Sequence, residues 1–185
     1  MASEFQRRKI AGVFDAMDAD GDGFLEEADF AALTARWIAI RGTGDHARLS
    51  AIMMGWWATL LAGSDRDHDG RVTLDEVLLL VDRLDGMPEA VIGTAEAMFE
   101  AVDEDGDGRI SAEEYHRLIE AWSGRATDTD AVFPLLDLDG DGHLSQAEFT
   151  RLWTEFWSGD DPAAPGTWVF GRFEPPLARQ EPTVR

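Results

Sequence analysis

An acidic twelve-residue pattern occurs four times in the chain and constrains its fold more than any other feature. Each copy begins with Asp-x-Asp-x-Asp-Gly, has an aliphatic residue at position 8 and ends in a carboxylate at position 12. The copies occupy residues 18–29, 65–76, 103–114 and 137–148. The glycine at position 6 suits a sharp turn with positive φ, which costs glycine least. The pattern therefore predicts four tight loops, each gathering several oxygen atoms around one point.

Apolar residues on both sides of each loop predict helices. A Phe or Leu stands four residues before each loop, an apolar residue follows the loop directly, and a leucine comes three positions later. Spacings of three and four residues place such side chains on one face of a helix. A helix therefore enters and leaves every loop, and the repeating unit is the helix–loop–helix EF-hand.

The residue types at fixed loop positions are those that bind a hard divalent cation. In an EF-hand loop, positions 1, 3 and 5 supply carboxylate oxygens, position 7 its backbone carbonyl, and position 12 both oxygens of a carboxylate. We therefore expect up to four calcium ions. The predicted ligands are Asp18, Asp20, Asp22, Phe24, Asp29, Asp65, Asp67, Asp69, Arg71, Glu76, Asp103, Asp105, Asp107, Arg109, Glu114, Asp137, Asp139, Asp141, His143 and Glu148.

The first loop departs from this pattern because it ends in Asp29 where the other three end in Glu. The shorter side chain reaches an ion less easily with both oxygens, and Mg²⁺ needs fewer ligands than Ca²⁺. Glu26 at position 9 adds a further carboxylate, and Glu27 is an alternative that could turn toward the ion. We expect this loop to be weaker for Ca²⁺ and more permissive to Mg²⁺.

Composition excludes several other functions. Acidic residues outnumber basic ones 37 to 16, giving a net charge of −21, which argues against nucleic-acid binding. The absence of cysteine excludes disulfides and thiolate chemistry. The four histidines lack metal-ligand spacing, and no Ser–His–Asp pattern, nucleotide loop or zinc motif occurs, so we predict that the protein is not an enzyme.

Two further expectations concern the cellular setting. The longest apolar run, residues 51–63, is too short to span a bilayer core of about 30 Å, and the N-terminal residues lack the apolar stretch of a secretory signal. We therefore predict a cytoplasmic monomer without a membrane span. Its partners would be calcium ions and, if it signals, a target protein.

The predicted fold is all-α, with four EF-hand units in two paired lobes that pack as one compact domain and a non-helical C-terminal tail. Residues 1–85 form the first pair, 86–157 the second, and 158–185 a Pro-rich tail that packs on the lobes. Gly86 and Pro88 mark the break between the pairs. Thr43 or Asp45 begins the third helix, and Pro134 limits the seventh helix to a short turn.

The tryptophans are expected mainly in the core. The helix that carries Trp56 and Trp57 is apolar on all sides, which predicts burial of two faces between the lobes. In the tail, Trp168, Phe170 and Phe173 are candidates to plug a remaining apolar groove.

Four EF-hand loops with uneven spacing, a short Gly-Pro break and many tryptophans resemble the sarcoplasmic calcium-binding proteins and their bacterial relatives of the calerythrin type. The resemblance covers about residues 4–157. It implies two lobes in one compact body and a role as a Ca²⁺ buffer or transporter. Family members often carry a disabled loop, whereas all four loops here are predicted to be competent. The related photoproteins need a luciferin cavity lined by His, Trp and Tyr, and Tyr115 is the only tyrosine of this chain.

Two functions therefore remain open at this level. A buffer or store would hold calcium in a closed body that folds around its ions. A sensor would expose an apolar groove on loading and bind a target helix there. No long tether separates the two halves here, which favours the buffer.

Overall fold

The computed structural model describes residues 2–124 and 128–171. Within them, the chain forms eight α-helices, four short β-strands and two 3₁₀ turns. The helices are α1 (Glu4–Met17), α2 (Glu27–Arg41), α3 (His46–Ser64), α4 (Leu74–Val81), α5 (Pro88–Val102), α6 (Ala112–Ser123), α7 (Phe133–Leu136) and α8 (Gln146–Ser158). The strands are β1 (Phe24–Leu25), β2 (Val72–Thr73), β3 (Arg109–Ser111) and β4 (His143–Ser145), and the 3₁₀ turns are Leu84–Gly86 and Pro165–Trp168.

The helix that leaves each loop begins inside the loop itself. In loop 2, the Thr73 side chain accepts the backbone N–H of Glu76, and the Glu76 carboxylate accepts the backbone N–H of Thr73. This reciprocal capping box satisfies backbone donors that a helix start leaves unpaired. The same arrangement begins the other exit helices, with the pairs Glu26/Asp29, Ser111/Glu114 and Ser145/Glu148. Position 9 is thus the helix cap, and position 12 lies in the first turn.

Short antiparallel strands join the loops in two pairs. Leu25 of β1 lies opposite Val72 of β2, and Ile110 of β3 lies opposite Leu144 of β4. All four occupy loop position 8, and all have 0% exposure. The strand contact expected for this position is therefore present. The division of the chain into units at residues 85 and 157 stays a prediction.

One hydrophobic core extends through both pairs, so the prediction of a compact EF-hand fold is confirmed. Trp56 of α3 contacts three tryptophans of the second pair, with ring centroids 5.5 Å from Trp122, 5.9 Å from Trp153 and 6.4 Å from Trp157. The same ring makes an edge contact with Phe30 of α2, at 5.6 Å between ring centroids. The aromatic side chains thus connect the two halves of the molecule.

The prediction that helix α3 is buried on two faces is wrong. Trp57 is buried and Trp56 is partly buried, but the outer face of the helix is exposed to solvent. Its small side chains allow this exposure at little cost in apolar surface. The exposed residues of that face are Ala47, Arg48, Ala51, Gly55, Ala58, Thr59 and Ala62, all of them small except Arg48.

Three cations of the first EF-hand cap helices of the second half. Lys9 of α1, the one lysine of the chain, donates to the carbonyls of Phe156 and Gly159 at the end of α8, at 2.7 and 2.8 Å. Arg36 of α2 donates to carbonyls in the last turn of α6, and Arg41 of α2 to one in the last turn of α5. The last carbonyls of a helix lack intrahelical partners and carry partial negative charge, so each contact stabilises the junction.

The described part of the tail contains no α-helix after Ser158 and folds back onto the body. Gly166 of its 3₁₀ turn lies so close to α8 that a Cβ atom there would come within 2.4 Å of the Leu152 carbonyl oxygen. The Tyr115 hydroxyl donates to the carbonyls of Trp168 and Val169, at 3.1 and 3.2 Å. Phe173 lies outside the described residues.

Local features of the sequence begin and end several helices as expected. The Asp45 side chain caps α3 by accepting the backbone N–H of Arg48. Pro88 opens α5 directly after the 3₁₀ turn that ends at Gly86. Helix α7 has four residues with Pro134 in its first turn. These three predictions are confirmed.

Candidate metal centres

Position 1 of each loop organises the loop backbone. In loop 4, the two oxygens of Asp137 accept the backbone N–H groups of Gly140 at 2.9 Å and of Gly142 at 2.8 Å. The position 1 aspartates of the other three loops accept the N–H of the position 6 glycine in the same way, at 2.9–3.1 Å. The loop backbone is therefore wrapped around the position 1 carboxylate through hydrogen bonds of the protein alone.

Position 12 folds back across each loop. In loop 3, Glu114 accepts the N–H of Glu104 at 2.9 Å with one oxygen and the N–H of Ser111 at 2.8 Å with the other. Glu76 and Glu148 bridge positions 2 and 9 of their loops in the same manner. Asp29 does so as well, accepting the N–H of Ala19 at 3.0 Å and of Glu26 at 2.8 Å. The shorter side chain therefore keeps the backbone role of position 12.

The carboxylates of each loop converge on one point. In all four loops three acidic residues place an oxygen atom within 4.8 Å of one another. Loops 1 and 4 bring together positions 1, 3 and 5, whereas loops 2 and 3 bring together positions 1, 3 and 12. The groups are Asp18, Asp20 and Asp22; Asp65, Asp67 and Glu76; Asp103, Asp105 and Glu114; and Asp137, Asp139 and Asp141. These sets of hard oxygen donors fit calcium.

Four predicted carboxylate ligands fall outside these groups: Asp29, Asp69, Asp107 and Glu148. The position 5 aspartates among them accept the N–H of the position 7 residue, at 2.8 Å for both Asp69 and Asp107. The residues Phe24, Arg71, Arg109 and His143 hold position 7 at or directly before a strand. Ligation by their carbonyl oxygens stays a prediction.

The Arg71 side chain connects the first two loops. Its Nη2 lies 3.3 Å from Oδ2 of Asp69, and its Nε lies 3.9 Å from Oε1 of Glu26. The guanidinium also stacks over the Phe24 ring at 4.2 Å from its centroid. The Glu26 carboxylate thus has an ionic partner in the second loop and is not among the converging acids of its own loop.

In loop 2, the surroundings of the position 3 carboxylate raise its pKa. Desolvation raises the pKa of Asp67, and repulsion by Asp69, Glu76 and Asp65 adds to this, against the lowering effect of the Asp69 N–H. For Glu76, burial also raises the pKa, but the N–H groups of Thr73 and Arg66 outweigh it and the net pKa is lowered. An ionised position 12 therefore faces a carboxylate whose charge is disfavoured, and a bound cation relieves that repulsion.

A backbone feature separates loop 2 from the other three. His68 at position 4 has a φ of 60°, the left-handed region that side chains other than glycine seldom adopt. The other loops have Gly21, Gly106 and Gly140 at this position, with φ of 72–74°. The His68 side chain is exposed to solvent.

Position 12 was predicted only as a metal ligand, and its second role in capping the exit helix was not predicted. The signal was present as Ser/Thr-x-x-Glu in loops 2, 3 and 4. Arg71 was predicted only as a position 7 ligand, and the contacts of its side chain with Glu26 and Phe24 of the first loop were not predicted, because no local pattern encodes them.

Comparisons with known proteins agree with this geometry. The EF-hand domain pair families match residues 64–120 and 124–155, and the EF hand family matches residues 10–34. Together these matches cover more than half of the chain. The fold and the loops define a calcium-binding protein of the EF-hand superfamily.

Within that class the chain resembles the sarcoplasmic calcium-binding proteins. It is 33% identical over 109 residues to the alpha-B and -A chains of Penaeus sp., a match that covers 53% of this chain and 57% of the relative. It is 29% identical over 178 residues to sarcoplasmic calcium-binding protein 1 of Astacus leptodactylus, covering 83% and 88%. The chain thus spans little more than half of the Penaeus relative. These relatives are named as calcium binders and not as enzymes, in agreement with the predicted lack of catalysis.

A solved structure extends the likeness to bacteria. A Streptomyces coelicolor calcium-binding protein, described as a basis for prokaryotic calcium-mediated regulation, is 27% identical. It superimposes with a TM-score of 0.66 and covers 84% of this chain and 99% of that one. No helix in the described ranges is both long and apolar enough to cross a membrane.

Proposed function

We propose that the protein is a cytoplasmic Ca²⁺ buffer or store. The observation that carries this proposal is the covered apolar groove. Phe170 of the tail lies 4.8 Å from Trp122, 5.3 Å from Trp153 and 4.8 Å from Phe156, measured between ring centroids. Tyr115 holds the tail backbone beside it. A surface that a sensor would offer to its target is occupied by the chain itself.

The capping cations support the same function. A sensor opens when the helices of an EF-hand change their mutual angle. Here Lys9, Arg36 and Arg41 attach the first EF-hand to the ends of three helices of the second half, so opening would break these contacts. Calcium binding would then mainly stabilise the closed body by relieving repulsion among the loop carboxylates.

In this proposal each loop binds one calcium ion, up to four in all. The ligands are the carboxylates at positions 1, 3, 5 and 12 and the carbonyl at position 7. Loop 1 accepts Mg²⁺ as well, because the shorter side chain of Asp29 reaches the ion less easily with both oxygens and Mg²⁺ needs fewer ligands than Ca²⁺. The monomeric state is part of the same proposal.

A sensor is the second candidate, and the Streptomyces structure favours it because its description names calcium-mediated regulation. In that case loading would release the tail, and an apolar helix of a target protein would replace Phe170. The tryptophans of α6 and α8, which are buried while the tail is in place, would then form the binding surface.

Hydrophobic-dye fluorescence with and without Ca²⁺ separates the two candidates. For a buffer, dye emission of the full-length protein is highest without calcium and falls on loading. For a sensor, emission rises on loading. Phe170→Ala, or truncation after Gly159, should leave a loaded buffer with an uncovered groove and increased emission. Leu135→Ala is the matched control, because Leu135 is an exposed apolar residue outside the groove.

A further inference from the structure

Position 2 of the third loop carries a feature that the other loops lack. This position is Ala19, Arg66 and Leu138 in loops 1, 2 and 4, but Glu104 in loop 3. The backbone N–H of Glu104 donates to Oε1 of Glu114 at 2.9 Å. Contacts that fix the Glu104 side chain therefore also hold its backbone N–H, which orients the carboxylate of Glu114 at position 12.

Two cations hold the Glu104 carboxylate, one from each half of the molecule. Nε of Arg117, on α6, donates to both carboxylate oxygens at 3.0 and 3.1 Å. Nε of Arg41, on α2, lies 3.5 Å from Oε1. The side chains of Arg41 and Glu104 are only 6% and 16% exposed, so water screens this pair weakly.

Arg41 also contacts the helix that leads into loop 3. Its Nη1 donates to the carbonyl of Ala101 at 3.3 Å, in the last turn of α5. Helix α5 ends at Val102, and Asp103 is position 1 of the loop. One guanidinium from the first EF-hand thus contacts both sides of the entrance to the third loop.

We propose that Arg41 is a positioning residue of the third calcium site, through which helix α2 sets the calcium affinity of loop 3. The inference rests on the proposed binding of calcium in that loop. Residues that orient metal ligands from outside typically change metal affinity by about 10–100-fold when replaced. Because coupling is reciprocal, calcium in loop 3 also strengthens the contact between α2 and α5.

The direction in which calcium affinity changes on replacing Arg41 distinguishes a positioning role from a purely electrostatic effect of its charge. The guanidinium repels a nearby cation, so electrostatics alone predicts that Arg41→Met raises calcium affinity. Loss of positioning predicts the opposite, a decrease of about tenfold at loop 3. Arg41→Lys keeps the charge but cannot contact Ala101 and Glu104 with one planar fork, so it should also weaken loop 3.

Site-resolved calcium titrations of the full chain test the inference. The amide resonances of Gly108 and Gly142 report loops 3 and 4 separately by ¹⁵N NMR. Arg48→Met is the charge control, because Arg48 pairs with Glu100 on the surface and acts electrostatically on Asp103. Arg36→Met is the control for loosening of α2, because Arg36 donates to carbonyls of α6 and not to a loop.

The expected result is a loss of affinity at Gly108 in both Arg41 variants, with Gly142 nearly unchanged and no loss in the two controls. In calcium-free protein, the Glu104 amide should also lose hydrogen-exchange protection in Arg41→Met. Equal weakening of loops 3 and 4, or an unchanged or raised affinity at loop 3, would overturn the inference. If Gly108 of the wild type fails to respond to calcium, the site assignment itself is wrong, which is a separate outcome.

Discussion

The two loop pairs differ at the positions that shape the backbone and close the site. Loops 3 and 4 have glycine at position 4 and Glu at position 12, whereas loop 1 ends in Asp29 and loop 2 has His68 in the left-handed region. Strands β3 and β4 have three residues each, and β1 and β2 have two. The first half also supplies the three cations that cap the second half. The second half therefore follows the calcium-binding pattern more closely, and the first half stabilises it.

Calcium removal should have the largest effect. Each ion that binds only the folded protein stabilises it by about 2.7 kcal/mol at a hundredfold excess over its Kd. Addition of a chelator should remove the sum of these stabilisation free energies over the occupied sites, and calorimetry should show this as a lower melting temperature. Glu148→Gln in the second half should remove more of this calcium-dependent stability than Asp29→Asn in the first. Equal losses from both variants would contradict the difference between the halves.

The pH dependence of the Lys9 contact should be the next largest effect. Burial lowers the pKa of Lys9 to about 8, although Asp160 and Glu155 act to raise it. The unfolded chain keeps the ordinary pKa of 10.5, so it binds more protons than the folded protein between these values. Stability therefore rises with pH in this window, by up to about 3 kcal/mol.

Urea denaturation between pH 7 and 9.5 measures the lower part of this rise, about 2 kcal/mol. Lys9→Met should be less sensitive to pH in the same range, because the titrating group is absent. Burial raises the pKa of Tyr115 above its usual range, so its folded form does not ionise there. A wild-type stability that stays flat or falls across this range would show that Lys9 is not perturbed as described.

Asp29→Glu should make loop 1 resemble loops 3 and 4. The longer side chain should raise the calcium affinity of loop 1 by about tenfold, or ~1.4 kcal/mol, and reduce its preference for Mg²⁺. Isothermal titration with each ion measures both changes. Glu148→Asp in loop 4 is the matched reverse substitution and should weaken calcium binding there. No change in either ion's affinity on Asp29→Glu would mean that Asp29 already closes the site.

His68→Gly should have the smallest effect. Relief of the left-handed conformation is worth about 1 kcal/mol and is partly offset by the greater freedom of glycine in the unfolded chain. A gain of a few tenths of a kcal/mol in the unfolding free energy is expected by chemical denaturation. Gly140→His, the reverse change in loop 4, should destabilise by a similar amount. A destabilising His68→Gly would show that the histidine makes a favourable contact that outweighs its backbone conformation.

The loops and the fold class were predictable because their determinants are local. Twelve consecutive residues contain the carboxylates, the turn glycine and the start of the exit helix, so each loop is specified without reference to the rest of the chain. The order of helices followed from apolar spacing for the same reason. The burial of helix α3 was not predictable in this way. Its uniformly apolar composition predicted two buried faces, but small residues such as Ala51 and Ala58 remain exposed.

The sequence by itself determined four acidic EF-hand loops, their entering and leaving helices and the departure at Asp29. Only the tertiary structure decided which cations join the halves, that Phe170 covers the aromatic groove, and that Arg41 meets loop 3 through Glu104. Lys9 reaches carbonyls about 150 positions away, and Arg41 a carboxylate in the other half. Such partners meet only when packing brings distant helix ends together, and no local spacing encodes them.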